Sequence, residues 1–389
     1  MGGFMGTVFK KELTPMKELA RAFSAKELAP NIREHDRHPF APLFMDTLEK
    51  AYEAGFFGVV IPEELGGAGG DLETLCVLLE EISSVDASLG AAVFTNACAQ
   101  LTAGACAGVK AAGALMSGAA SVREAILAFP CYLHPVIEAE TLPRAELSPG
   151  GQEVLSGTVP LLSLATVATR AVVPARGAHG DDVSFFLVDL DRDEVTKSGP
   201  VLTLGFHACP AADVTLDRVP ALRLCSPDKG SEAFGSVYAA LLVASAAISA
   251  GIMRGSYECA LAYAVQRRQG GREIARWSEV TMMLADMLIA VRSSGLALAQ
   301  ASRLALDGDA SSMEYAASAA LTVHSLACGV VSDGIQVLGG YGYMKDYGQE
   351  KRYRDAHQAS AVFGSHPLKK LSLVGPAVKT ASLGQGGMP

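Results

Sequence analysis

Apolar positions recur three and four residues apart through the first third of the chain, as in ELARAFSAKEL and LETLCVLLEEISS. That spacing gathers them on one face of a helix. From Lys10 to about Arg123 the pattern predicts helices, broken by GFFGVVIPEELGGAGG, whose glycines and Pro62 mark turns. The period then changes. Between Ile126 and Lys229 the apolar runs shorten and often alternate (EVLSG, RAVVPAR, VSFFLVDL, ADVTLDRV), with Pro, Gly or Asp between them, which predicts strands. From Ser231 helical spacing resumes in long stretches such as VTMMLADMLIAVRSSGLALAQASRLAL. The order predicts an α+β multidomain chain: a helical domain over 1–125, a β-barrel or sandwich over 126–230 and a helical bundle over 231–389.

One run tests the membrane question. Val237 to Met253, VYAALLVASAAISAGIM, carries no charge, is slightly short for a span, and continues into a charged segment. Its Ala and Ser content predicts a helix buried in a bundle, as does the Ala/Gly-rich run from Ser88 to Ala120.

Composition narrows the classes. Of 389 residues, 50% are hydrophobic and 19% charged, enough for a large core. The net charge of -9 argues against a nucleic-acid partner, which needs a basic face. Eight cysteines lie scattered without a C-x-x-C pair, so neither a zinc site nor a disulfide framework is expected, and the cytoplasm is the expected compartment. His35 and His38 are close but sit beside Pro39 in a charged stretch that reads as a loop, not a metal site. The first residues lack the charged-then-apolar order of a secretory signal, and Gly6 stands where a myristoylation motif needs Ser or Thr.

Two glycine clusters invite a phosphate reading. GGAGG at Gly66–Gly70 lacks G-x-G-x-x-G spacing and a βαβ setting, which disfavours a Rossmann site. LGGYGY, Leu338 to Tyr343, follows an apolar helix and reads equally as a helix cap or as a ligand site. In the second case bare backbone N–H groups approach a pyrophosphate and Gln336 adds an amide.

Four stretches in order resemble the acyl-CoA dehydrogenase family across nearly the whole chain. They are AGFFGVVIPEELGGAGGDLETLCVLLEEISSVDAS, TLGFHACPAADVTLDRVP, AYAVQRRQGGREI and DGIQVLGGYGYMKDYGQEKRYRDA. The resemblance implies a flavoprotein fold, FAD, an acyl-CoA thioester substrate, and an electron-transferring flavoprotein as electron partner. Arg267 matches the arginine that reaches the FAD pyrophosphate of a neighbouring subunit, a role suited to a forked guanidinium. Gln336, Gly339 and Gly340 match residues along the ADP half of that FAD. The family's phenylalanine three residues after Arg267 is Gly270 here. Glu350, Arg354 and Asp355 match a charged cluster expected to pair within the subunit.

The departures cluster at the other end of the flavin. The family's catalytic glutamate, in a Glu-Gly-Thr turn, falls on Phe363, ahead of Gly364 and Ser365. Its alternative position falls at about Leu241. Neither accepts a proton, and a general base needs an ionisable group within hydrogen-bond reach. The segment that touches the flavin ring in the family is here AFPCYLHPVIEAETLP, without the usual order, and a second one becomes Leu161-Leu162-Ser163 with Val159 for its lysine. Of that segment only the Ser163 hydroxyl survives, and it reads either as a hydrogen-bond partner of the flavin or as an ordinary β-domain serine. The expectation is the base-less subunit of a heteromeric FAD-dependent acyl-CoA dehydrogenase, tetrameric with a complete homologous subunit. Two alternatives stay open: a homo-oligomeric flavoenzyme using another base, such as Glu138 or Glu140, and a flavin-free scaffold.

Overall fold

The structure, a computed structural model, describes residues 13–39, 42–115, 118–177, 183–226 and 229–384. Helices come first: α1 (Thr14–Phe23), α2 (Ile32–His35), α3 (Pro42–Glu53), α4 (Leu72–Ser83), α5 (Ala87–Ala107), α6 (Val109–Ala114) and α7 (Val122–Ala125). Asp71 starts α4 by accepting the Thr74 N–H at 2.9 Å, and its own N–H donates to the Thr74 hydroxyl. This reciprocal cap satisfies two donors that a helix start leaves open. Helix α5 is apolar nearly all round and accordingly buried along most of its length. Its two amides are used: Asn96 and Gln100 both donate to the Phe57 carbonyl, and Asn96 accepts the Leu127 N–H.

Strands follow: β1 (Leu127–Ala128), β2 (Arg144–Leu147), β3 (Glu153–Ser163), β4 (Arg170–Arg176), β5 (Val183–Asp189), β6 (Val195–Lys197) and β7 (Ala211–Arg223). The path β4–β2–β3–β7–β5 returns to β4, so the sheet closes into a barrel, with β1 beside β4 and β6 beside β7. Register shifts between Leu155 and Gly157 and between Val159 and Leu162 bend β3 around the closure.

The remainder is helical apart from one hairpin: α8 (Gly230–Ala264), β8 (Arg268–Gln269), β9 (Arg272–Glu273), α9 (Ser278–Leu306), α10 (Ser312–Leu338), α11 (Gln349–Ser360) and α12 (His366–Gly384). Helix α8 is the axis, packed against α9, α10, α11 and also α4 and α5. Gly251 and Gly255 permit this: a Cβ at either would strike the carbonyl of Glu80 or Ser84 at the end of α4. By length and composition α8, α9 and Ser312–Tyr343 could each cross a membrane. The apolar window of α8 is 78% buried inside the protein, and every residue from Leu241 to Ser256 is buried.

One sequence reading is corrected. His35 lies on α2, fully buried, its ring between the Asp86 carboxylate and the Thr47 hydroxyl at 3.2 Å each. It is a core polar group rather than part of a solvated loop. No cluster of three or more metal-ligating side chains occurs among the described residues.

Candidate functional site

The turn from α8 into α9 and the end of α10 enclose a groove of about 850 Å³. Arg267, Gln336, Gly339 and Gly340, matched separately in the sequence, all line it. Arg267 follows the last turn of α8, and its carbonyl accepts the Ile274 N–H at 2.8 Å, which ties the hairpin back. The guanidinium is exposed and lies 5.8 Å from the centre of the Tyr341 ring. Tyr341 belongs to an aromatic cluster with Tyr263 and Tyr347.

The two glycines differ physically. Gly339 ends α10 at φ 59°, ψ -133°, a conformation essentially reserved for glycine. Gly340 has ordinary φ, and a Cβ there would meet nothing within 4 Å. The chain's own packing therefore does not demand a glycine at 340. Exposed Gln336 sits one turn back on α10. A cation, an amide and uncovered backbone around one concavity suit a pyrophosphate ester.

Sequence reasoning overlooked Trp277, which also lines the groove. The available signal was Gly270-Gly271 between the polar pairs Arg268-Gln269 and Arg272-Glu273, the pattern of a two-residue hairpin that folds the chain back.

The second location is closed. Phe363 is buried, its ring 5.5 Å from Tyr238 and 6.1 Å from both Phe94 and Phe234. Its N–H donates to the Cys131 carbonyl at 2.7 Å, holding a backbone at φ 55° that a bulky residue rarely adopts. Leu241 is fully buried on α8. Ser163 is buried in β3, where its backbone exchanges hydrogen bonds with Phe129, and it does not line the groove.

Beside Phe363 lies a very small cavity lined by His134, Glu138, Tyr238, Gly364 and Lys369, among others. The Glu138 carboxylate accepts the His134 N–H at 2.8 Å. Burial lowers the His134 imidazole to about 4 and the Lys369 amine to about 8. Glu140 is exposed and does not line this cavity.

The matched charged cluster forms one network across the molecule. Arg354 grips Glu350 (2.7 Å) and Asp36 (2.6 Å), and His207 also pairs with Asp36 at 3.2 Å. Lys351 donates to Asp355 (2.6 Å) and Asp86 (3.0 Å), while Asp355 accepts the Phe206 N–H. These contacts bind early helices, the barrel and α11 together, so the cluster holds the fold.

FAD, tested against these surroundings, finds residues suited to its ADP portion in the groove. Phe363, which the sequence resemblance aligned with a base, carries a buried aromatic side chain.

Comparison with known proteins agrees with the architecture. Residues 10–108 match the acyl-CoA dehydrogenase N-terminal domain, and residues 241–371 match the C-terminal domain. CarC, the caffeyl-CoA reductase–Etf complex subunit of Acetobacterium woodii, is 25% identical, covering 95% of this chain and 99% of CarC. Butyryl-CoA dehydrogenase from Megasphaera elsdenii superposes with a TM-score of 0.86 at 19% identity, covering 96% of this chain and all of that one. An acyl-CoA dehydrogenase complexed with FAD from Bacillus anthracis gives 0.84 at 20% identity, over 98% of this chain and 69% of the other. With both terminal domains matched and the fold shared end to end, the chain belongs to the acyl-CoA dehydrogenase family.

Proposed function

We propose that this chain is the base-less subunit of a heteromeric, FAD-dependent acyl-CoA dehydrogenase, and that its groove holds the ADP portion of an FAD whose ring lies in a homologous partner. The observation that carries the reading is the contrast between its two ends. Arg267, Gln336, Gly339 and Gly340 converge on an open groove, while Phe363 fills the matched base position with a buried ring. FAD, when bound, supplies the hydride acceptor for acyl-CoA oxidation. This chain's share is to hold the pyrophosphate and present the interface. Met282, Ile289 and Leu296 support a partner: they form an exposed apolar stripe on α9 at heptad spacing. The naming of CarC as part of an Etf complex makes an electron-transferring flavoprotein the expected electron partner.

Co-expression with a homologous subunit that carries the glutamate tests the reading. The complex should be yellow, the isolated chain colourless, and FAD fewer than chains. Arg267→Ala should weaken FAD retention about ten- to a hundredfold, since a charge-assisted contact contributes about 1.5–3 kcal/mol. Gly340→Val should act alike by blocking backbone approach. Neither should lower the melting temperature of the chain alone, because both positions are exposed. Equal flavin content and affinity in wild type and variants would remove the role.

A second reading has one observation of its own. Glu138 lines the small cavity with Phe363 and Gly364, which places a carboxylate near the missing base. One FAD per isolated chain, with turnover lost in Glu138→Gln, would favour an altered homo-oligomeric flavoenzyme instead.

A further inference from the structure

Trp277 is the chain's single tryptophan. Strands β8 and β9 pair across Gly270 and Gly271, both at positive φ (60° and 84°), as a two-residue hairpin requires. A Cβ on Gly270 would lie 2.8 Å from the Trp277 ring. The glycine is thus what allows the indole to lie against the turn.

The ring is fixed from two directions. Its Nε1–H donates to the Gln269 carbonyl at 3.3 Å, and the Arg272 guanidinium stacks 3.7 Å from the ring centre. Trp277 lines the groove and Arg272 does not. The residue stays 36% exposed and borders the groove that holds Arg267. A pre-oriented aromatic face beside a guanidinium matches an adenine joined to a pyrophosphate: the base stacks and the phosphates take the cation.

We propose that Trp277 is the adenine platform of this groove, occupying the space opened by Gly270 and supplying the aromatic surface that position 270 lacks. The proposal rests on the reading of the groove as an ADP-binding site.

The test uses the full chain with two probes, ADP and inorganic pyrophosphate. With one tryptophan, intrinsic fluorescence reports on this ring alone. ADP should quench it and pyrophosphate should not. By calorimetry Trp277→Ala should bind ADP about tenfold more weakly, corresponding to about 1.4 kcal/mol. Its pyrophosphate affinity should change less than about twofold, because stacking involves only the base. Trp277→Phe keeps a π-face and should retain ADP affinity within about threefold. Equal ADP affinity in wild type and Trp277→Ala, with pyrophosphate still bound, overturns the stacking role and leaves the groove reading intact. Equal losses for both probes would mean that Trp277 only props the hairpin, which also overturns the proposal. Binding of neither probe to the wild type would remove the groove reading and this inference together.

Discussion

Lys351→Met probes the network that joins the helices to the barrel. The amine is 5% exposed and donates to Asp86 at 3.0 Å and Asp355 at 2.6 Å, which are 0% and 2% exposed. At an effective dielectric near 20, the contacts contribute about 5.5 and about 6.4 kcal/mol of attraction. Desolvating the amine offsets several kcal/mol of that. Methionine keeps the stem but strands two buried carboxylates, a change that costs about 3–5 kcal/mol. The lower end is expected, because Asp86 keeps His35 and the Ser88 N–H, and Asp355 keeps the Phe206 N–H. The sign with pH follows from Asp86. Burial raises its carboxyl, but Lys351 and His35 overcome this and hold it well below the usual range. Without Lys351 only His35 opposes burial, the carboxyl rises from its wild-type position, and protonation in acid relieves part of the cost. Chemical denaturation at pH 7 and pH 5 should therefore show a smaller difference between wild type and variant at pH 5. A cost below about 1 kcal/mol, the scale of an exposed pair, or one that does not change with pH, would refute the claim that Lys351 neutralises buried charge.

Asp36→Asn should flatten the acid limb of the stability profile. Burial opposes ionisation of Asp36, but hydrogen bonds from His207 and Arg354 lower it from 3.8 to about 2. Its ionised form therefore stabilises the chain fully above pH 3.8, and that contribution fades as pH falls toward 2. Denaturation midpoints across this range should fall less steeply in the variant, and parallel profiles would contradict the assignment. Phe363→Glu should not create a dehydrogenase, because the new carboxylate would point into a ring cluster of Phe94, Phe234 and Tyr238. Steady dye reduction by the purified variant with any of a panel of acyl-CoA thioesters would prove that wrong.

What could be read from the sequence followed the range of the forces involved. The α–β–α order and the long strands came from local periodicity, and the burial of Leu241–Met253 from an uncharged, Ala- and Ser-rich composition. Glu350 and Arg354 sit four apart on one helix face and duly pair. His35 was misread because its burial depends on Asp86 and Thr47, which a local window of charge and proline does not contain. The anchor of Lys351 on Asp86 spans 265 residues and leaves no periodic trace. The short strands β1, β2 and β6 escaped because two to four residues cannot display a period. Trp277 escaped because its place depends on a hairpin and on a missing Cβ across the turn.

The scaffold alternative turns on which groove residues the fold itself requires. Gly339 is explained by its backbone, Gly251 and Gly255 by α4, and Gly270 by Trp277. Those glycines would suit a chain that binds nothing. Gly340 has ordinary φ and open space where a side chain would stand, and glycine inside a helical turn is less stable than alanine by about 0.5–1 kcal/mol. Exposed Arg267 contributes no ion pair among the described residues that would account for its position. A scaffold is free to replace Gly340 at no loss to its packing, and Arg267 at the loss only of an exposed stack on Tyr341. A groove that must admit a pyrophosphate beside bare backbone is not. Gly340→Ala separates the two cases: in a scaffold it is neutral or stabilising and nothing else changes. In an FAD-holding subunit it raises stability slightly while lowering flavin retention, and those opposite signs are what packing alone cannot produce.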